Sequence, residues 1–338
     1  MAGRQTQQQV LQRIENASRR ALFAQEEADL RAILKLYDEA ENELASQLYL
    51  MHESLEEAVG EGDEKRVDYL KWKILREEQF ADQVRSRLDR LRVEMTAKLS
   101  ASLRAQAKTQ ARYSAYAIDM ATPPSIRVDT RALTDDSVDA IVNTPWEGAM
   151  FSHRTLALTD DLAREMQNIV GSGVLLGKGT DEIVRDIRNA GVGSTNTGPR
   201  YVIERIVRTE VLKAADRARH RVYADNSDVV TGEIVVATID SRTDDDCAAL
   251  DGLEIDSAQA RAIIESADFA DRPPFHPNCR CVTAPALKPW KDLLGLGEAP
   301  DDLEEIGAED RVIRDPSTGR TVLVAFEPFE KWVAERGQ

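Results

Sequence analysis

The chain has 338 residues, room for two or three domains, with ordinary hydrophobic content, few aromatic residues and a net charge of -16. That acidic surplus argues against a general DNA-coating role, because phosphate binding needs an excess of Lys and Arg. No apolar run reaches the roughly 18 residues of a membrane helix, and Met1-Ala2-Gly3-Arg4-Gln5 leads into glutamines, so neither a membrane span nor a secretory leader is expected. Synthesis in the cytosol, where thiols stay reduced, follows as an expectation. The charge is uneven: the second N-terminal helix and Arg185 to Arg221 are basic, whereas Asp225 to Asp271 and the C-terminal tail are acidic. Local contact with DNA, with another copy or with a partner is compatible with that distribution.

Few aromatics with many Ala, Glu, Arg and Leu point to an α+β protein that is mostly helical. Residues 1–121 read as a long antiparallel helical hairpin, a coiled-coil arm. Val10, Ile14, Ala17, Ala21, Ala24 and Ala28, continued by Ile33, Tyr37, Ala40, Leu44, Leu48, Met51 and Leu55, mark one buried helical face. Gly60-Glu61-Gly62-Asp63 breaks it, with Asp63 as the N-cap of a second helix. Val67, Leu70, Ile74, Ala81, Val84, Leu88, Leu91 and Met95 form the second stripe. Two helices of about 50 residues would each span roughly 75 Å. Such a hairpin is a spacer, a clamp or an oligomerisation arm, or else a plain bundle folding back on the next domain. The alanine-rich first heptads allow close approach of a partner or another copy.

Thr122-Pro123-Pro124-Ser125 ends the helical region, because paired prolines cannot continue a helix. Residues 122–155 read as a linker with a short helix, pinned by Pro145-Trp146 and Phe151. Residues 156–287 form a compact helix-rich domain with a small sheet. Thr159 to Val170 is a helix. The run Gly171-Ser172-Gly173-Val174-Leu175-Leu176-Gly177-Lys178-Gly179 superficially suggests a phosphate loop. Ser172 stands where the first glycine belongs and Gly179 where Ser or Thr must hold magnesium, so the pattern fails. A helix stop followed by Thr180 as N-cap is the plainer reading. Pro199 starts a helix through Tyr223 whose core face is Ile203, Ile206, Val207, Val211 and Ala214. Arg208 and Glu210 lie on different faces of it and cannot pair along the helix; Glu210 is a buried partner or a surface charge. Val229 to Ile239 is a β-branched strand with a kink at Gly232, and Ser257 to Ser266 a helix. Residues 288–338 form an acidic tail with a β-hairpin over Arg311 to Val324, around a Pro-Ser-Thr-Gly turn. Phe326, Phe329 and Trp332 then make it a docking peptide or a segment that packs on its own domain.

All three cysteines lie in two short motifs: Cys247 before Leu250-Asp251-Gly252, and Cys279 and Cys281 in Pro273-Pro274-Phe275-His276-Pro277-Asn278-Cys279-Arg280-Cys281. Concentration of that kind indicates a built local site. Cys247, His276, Cys279 and Cys281 are the donor types of a closed tetrahedral zinc site, which leaves no position for a reactive water. A disulfide from Cys247 to Cys279 or Cys281 would leave one thiol over, and buried reduced thiols with His276 capping its own loop are the third reading. Asp251-Gly252 is a turn, with Gly252 at positive φ and Asp251 bonding its own backbone. Asp244-Asp245-Asp246 lacks the spacing of a calcium loop and reads as a solvated acidic turn.

These motifs resemble those of the phage Mu protein F-like minor head proteins, the phage head morphogenesis family. Arg208-Thr209-Glu210 matches the family's Arg-Thr-Glu helix motif. Asp240, Arg242, Thr243, Cys247, Leu250, Asp251 and Gly252 match its Asp-x-Arg-Thr-Cys-x-x-Cys-x-x-Leu-Asp-Gly segment. His276, Pro277, Cys279, Arg280 and Cys281 match its His-Pro-x-Cys-Arg-Cys ending. The resemblance spans roughly residues 155 to 287. Asp244 departs from it, standing where the first cysteine of the pair is usual; a metal site here uses Cys247 alone or takes Asp244 in that place. The resemblance implies a minor structural protein of a tailed-phage head, in the capsid interior or at the portal vertex. It would be assembled in the host cytoplasm and act in head assembly, genome packaging or delivery. Implied partners are the portal protein, other head proteins, and further copies or packaged DNA, with no membrane and no small-molecule substrate.

Two other readings start from the same residues. A metal-dependent enzyme or toxin-like domain would use the cysteines as zinc deaminases do, or pair Cys279 with His276 as a nucleophile. No glutamate lies two after any histidine, however, and Cys-x-Cys replaces Cys-x-x-Cys. A DNA-binding accessory protein ejected with the genome would bind through Arg185 to Arg221.

Overall fold

The computed structural model describes residues 4–69, 78–123, 126–176, 178–192, 198–295, 305–307, 310–314, 321–325 and 329–336. Helices dominate, and two compact units form from segments distant in sequence. Met1–Glu26, Ser102–Glu147 and Arg208–Gln338 make the first; Glu27–Ala101 and Gly148–Val207 make the second.

Helices α1 (Gln7–Gly60) and α2 (Glu78–Ala121) contribute to both units. The stripe of α2 is buried as expected at Val84, Leu88, Leu91 and Met95, and continues through Leu99, Leu103, Ala107 and Ala111. In α1 the face runs Val10, Ile14, Ser18, Leu22, Leu30, Ile33, Tyr37, Ala40, Leu44 and Leu48. The expected register is therefore corrected at its start: Ala17 and Ala21 are half-buried, and Ala24 and Ala28 are exposed. Polarity misled the pattern, because Ser18 belongs to the core, where its hydroxyl donates to Gln110 Oε1 on α2 at 2.8 Å. The side chains of Met51, Leu55 and Ala81, and residues Leu70 and Ile74, lie outside the described residues. Asp63 caps residues 64–69 by accepting from the amide of Arg66 at 3.0 Å. The paired prolines follow the end of α2 at Ala121.

In the second unit, α4 (Phe151–Leu175) packs on α5 (Thr180–Val192); the short α3 (Asp135–Val142) belongs to the first. Helix α4 extends well past the expected Val170, so Gly171 and Gly173 sit inside a helix rather than in a stop. Gly173 has a packing reason: a Cβ there would lie 2.6 Å from Ile183 Cγ1 on α5. The carbonyl of Gly179 accepts the first amides of α5, from Glu182 and Ile183; the side chain of Thr180 lies outside the described residues.

Helix α6 (Pro199–Asp225) begins in the second unit and enters the first at Arg208, and its expected core face is buried in full. Strand β2 (Val230–Val236) pairs antiparallel with β3 (Val282–Leu287), with a register shift between Val230 and Gly232, the expected kink. β2 stops at Val236, short of the expected Ile239, because the next amide, Ala237 N, is taken by the Asp251 carboxylate at 2.8 Å. Helices α7 (Asp245–Leu250) and α8 (Ala258–Ser266) follow, the latter capped by Ser257. β1 (Arg4–Thr6) pairs with β4 (Glu305–Gly307), and β5 (Asp310–Arg314) with β6 (Thr321–Ala325); residues 315–320, where the tail's turn was expected, lie outside the described residues. After the four-residue α9 (Trp290–Leu293), α10 (Phe329–Arg336) closes the tail. Phe329 stacks on Tyr113 with centroids 3.8 Å apart, and Trp332 is fully buried with its Nε1 donating to Asp119 at 2.8 Å. The end of the tail thus packs on its own chain.

Charges occupy the centre of this unit. Glu210, Lys213, Asp216 and Arg219, at every third position of α6, are all 0% exposed. Lys213 pairs with Glu210 and donates to the Thr144 carbonyl at 2.7 Å. Arg219 donates to Glu15 Oε1 at 2.6 Å, Ser18 Oγ at 3.0 Å, Gln110 Oε1 at 2.6 Å and the Thr283 carbonyl at 3.0 Å. It thereby ties α1, α2, α6 and β3 together. Arg219→Met is expected to destabilise the chain by about 3–5 kcal/mol, because it strands buried partners. Arg221→Ala, which removes an exposed pair with Asp225, should change stability by no more than about 0.5 kcal/mol. Urea midpoints of the two variants check the contrast.

Candidate metal centre

β2 is the spine that brings the two cysteine motifs together. On one edge it carries β3, which follows directly after Cys281. On the other it holds the Leu250-Asp251-Gly252 turn: Gly252 N donates to Val235 O at 2.9 Å, Val235 N to Leu253 O at 2.8 Å, and Ile255 N to Glu233 O at 2.9 Å. Gly252 adopts φ +78°, the left-handed turn expected there. Asp251 does not bond its own turn, as expected from sequence, but reaches back to Ala237 N. Leu250 is fully buried and anchors α7, which carries Cys247.

The second motif is shaped by a tight turn. His276-Pro277-Asn278-Cys279 closes with Cys279 N donating to His276 O at 3.1 Å, proline leading and Asn278 at φ +62°. Trp146 Nε1 donates to Pro274 O at 3.0 Å and pins the approach to this loop, as the linker reading anticipated. Arg280 forms a fork on the Asp240 carboxylate, both contacts at 2.6 Å, and its hydrogen bonds hold that carboxyl below its ordinary range. Thr243 Oγ1 accepts from Asp240 N at 2.7 Å and donates to the Thr238 carbonyl; Thr238 Oγ1 donates to the Arg280 carbonyl at 3.1 Å. Asp240, Thr243, Leu250, Asp251, Gly252, Pro277 and Arg280 are thus the scaffold of the loop pair rather than donors to a ligand.

The result is a buried cluster in which the sulfurs of Cys247, Cys279 and Cys281 all lie within 4.8 Å of one another, an arrangement that can hold a metal ion. His276 Nε2 sits 3.2 Å from Cys247 Sγ, and its Nδ1 is 2.9 Å from the Pro277 carbonyl. Because a carbonyl only accepts, Nδ1 carries a proton, and Nε2 faces the Cys247 sulfur. A ligating histidine is commonly oriented in this way. Phe269 packs against the ring, centroids 5.2 Å apart. The thiols share protons unevenly. Hydrogen bonds from Cys247 and Cys281 hold the Cys279 thiol well below its ordinary value, and the other two are held up. Asp244 stands outside the cluster: it caps α7, accepting from Asp246 N at 3.0 Å. The sulfur in contact with His276 is that of Cys247, not the Cys279 expected for a nucleophile pair.

Residues 164–284, just over a third of the chain, match the sequence profile described as Phage Mu protein F like protein. The chain carries a Mu F-like domain. No curated protein and no solved structure gives a significant match. The Mu F-like segment contains both cysteine motifs, β2 and the whole of α6. Its Arg208-Thr209-Glu210 triplet splits: Arg208 pairs with Glu26 on α1 at 3.2 Å, while Glu210 is the buried partner that the sequence left open. Among the described residues, no helix is long and apolar enough to cross a membrane.

Beside the centre lies an ion network that the sequence did not disclose. Arg272, at the start of the cysteine loop, donates to Asp216 at 3.0 Å and to both Glu233 oxygens, at 3.1 and 2.6 Å; His220 Nδ1 is 2.6 Å from Glu233 Oε1. Its sequence signal was the i+3 charge spacing on α6. Burial pushes the Glu233 carboxyl up, but the hydrogen bonds from His220 and Arg272 outweigh it and bring the group down from 4.5 to about 2. Burial also raises Asp216, which shares Arg272 and offsets part of the gain. A depressed acid stabilises the fold above its unfolded pKa and loses that contribution as pH falls toward the folded value. The wild type should therefore lose up to about 3 kcal/mol between about pH 5 and pH 2 that Glu233→Gln does not lose. Parallel urea titrations across that range measure the difference.

Proposed function

We propose that the chain is a minor structural protein of a tailed-phage head, placed at the portal vertex or in the capsid interior, that acts in assembly or in packaging and delivery of the genome. In this reading residues 1–121 are the arm that meets the portal, other head proteins or a second copy. Residues 156–287 are the module that fixes it, and residues 122–155 and 288–338 are linker and tail. The carrying observation is that both cysteine motifs of the Mu F-like domain meet across β2 in one buried cluster. Cys247, Cys279 and Cys281, with His276 as the fourth donor, would hold a structural zinc ion, which supplies cross-linking of the two loops and no reaction. The pairing of arginines disfavours the DNA-binding reading. Between Arg185 and Arg221, Arg200 bonds Asp38, Arg208 bonds Glu26, Arg219 bonds Glu15 and Arg221 bonds Asp225.

Quantitative mass spectrometry of purified virions and immature heads is expected to find the chain at low copy relative to the major capsid protein and in constant ratio to the portal. Its absence from both particles defeats the head reading. Elemental analysis of the purified chain should give about one zinc per chain, and Cys279→Ser should abolish it and lower the melting temperature. A metal-free wild type of equal stability refutes the zinc assignment alone.

A further inference from the structure

Arg19 lies on α1, over two hundred residues from the cysteine motifs, yet its side chain ends beside them. Its Nη2 donates to the Ala237 carbonyl at 3.3 Å and to Thr238 Oγ1. Thr238 Oγ1 in turn donates to the carbonyl of Arg280, the residue between Cys279 and Cys281. The guanidinium is near enough to Cys281 and Asp251 for their charges to interact. Its Nε–H is buried with no hydrogen-bond partner among the described residues.

Charge balance gives this contact a purpose. Three thiolates and a neutral imidazole leave a net negative charge on a divalent ion, and a buried net charge is unfavourable unless a counter-charge lies near it. Arg280 is already matched by Asp240, and Arg219 by Glu15. The hydrogen bonds of Arg19 go to neutral oxygens; its charge also faces Glu15, a carboxylate that Arg219 already holds.

We propose that Arg19 is a positioning residue of the metal centre: through Thr238 it fixes the segment that presents Cys279 and Cys281, and its guanidinium balances the charge of the loaded site. The proposal rests on the zinc reading above. Its corollary is reciprocal linkage: whatever Arg19 adds to metal affinity, metal occupancy returns as docking of the first turns of α1.

The test uses the full chain, reduced and stripped of metal, titrated with Co2+ and then with Zn2+ against a chelator. Wild type is compared with Arg19→Met, Arg19→Lys and the exposed neighbour Arg20→Met. Arg19→Met should bind Zn2+ roughly 10–100-fold more weakly, as outer-shell partners of metal ligands typically do. Its Co2+ absorption should keep the tetrahedral thiolate pattern, because the ligands are unchanged. Arg19→Lys should fall between, and Arg20→Met should match the wild type. Zn2+ should slow amide exchange over residues 10–22 in the wild type and not in Arg19→Met. Equal Zn2+ affinity of wild type and Arg19→Met overturns the proposal. If Arg19→Met does not fold, Arg19→Lys decides in the same way, wild-type affinity being the refuting result. A wild-type chain that takes up neither ion refutes the metal centre itself, and the role of Arg19 falls with it.

Discussion

Burying a guanidinium, an ammonium and two carboxylates along one helix is unfavourable unless every charge meets an opposite charge or a fixed dipole. Helix α6 does this at Glu210, Lys213, Asp216 and Arg219. Steps of three residues turn each side chain about 60° back from the one before, so the four charges spread over half the helix circumference. Their partners must therefore approach from several directions. Glu15 and Ser18 come from α1, Gln110 from α2, the Thr144 carbonyl from the linker, Arg272 from the cysteine loop and Thr283 from β3. Hydrophobic contact is non-directional and would tolerate slippage between these elements; a charge with one matching partner does not. The ladder thus sets which element touches which in the first unit.

The cysteine cluster depends on that arrangement. β2 supplies two edges, one for each motif, and Arg272 and Arg280 anchor the cysteine loop at its start and between its thiols. With both backbones fixed beforehand, little conformational entropy remains to be lost when the sulfurs converge. The three sulfurs meet inside the segment that matches the Mu F-like profile.

Much of this was legible in the sequence where the signal was local. The stripe of α2 through Met95, the stop at Thr122-Pro123, the kink at Gly232, the Ser257 cap and the pairing of motifs around Cys247 and Cys279 each follow from short-range chemistry. Where long-range contacts decide, the pattern misled. Ser18 replaces an alanine face because Gln110 and Arg219 wait for its hydroxyl. Gly173 reads as a breaker but permits close approach of Ile183. Asp251 reads as a self-contained turn but ends β2. Asp216, Arg219 and Arg272 look like surface charges, since composition alone places such residues outside. For Asp216 and Arg219, only the three-residue rhythm within an Ile-, Val- and Ala-rich helix hinted otherwise; Arg272, in the loop, carried no such signal.

The aromatic clasp of the tail has a temporal side. Trp332 and Asp119 are 213 residues apart in the chain, so the surface that presents Tyr113, Tyr116 and Asp119 emerges from the ribosome long before its cover. At about 5–20 residues per second, that interval is roughly 10–40 seconds. Throughout it the nascent helix shows two tyrosine rings to whatever else is being assembled nearby. Helix α10, made long after those tyrosines, is the one that withdraws them from competition.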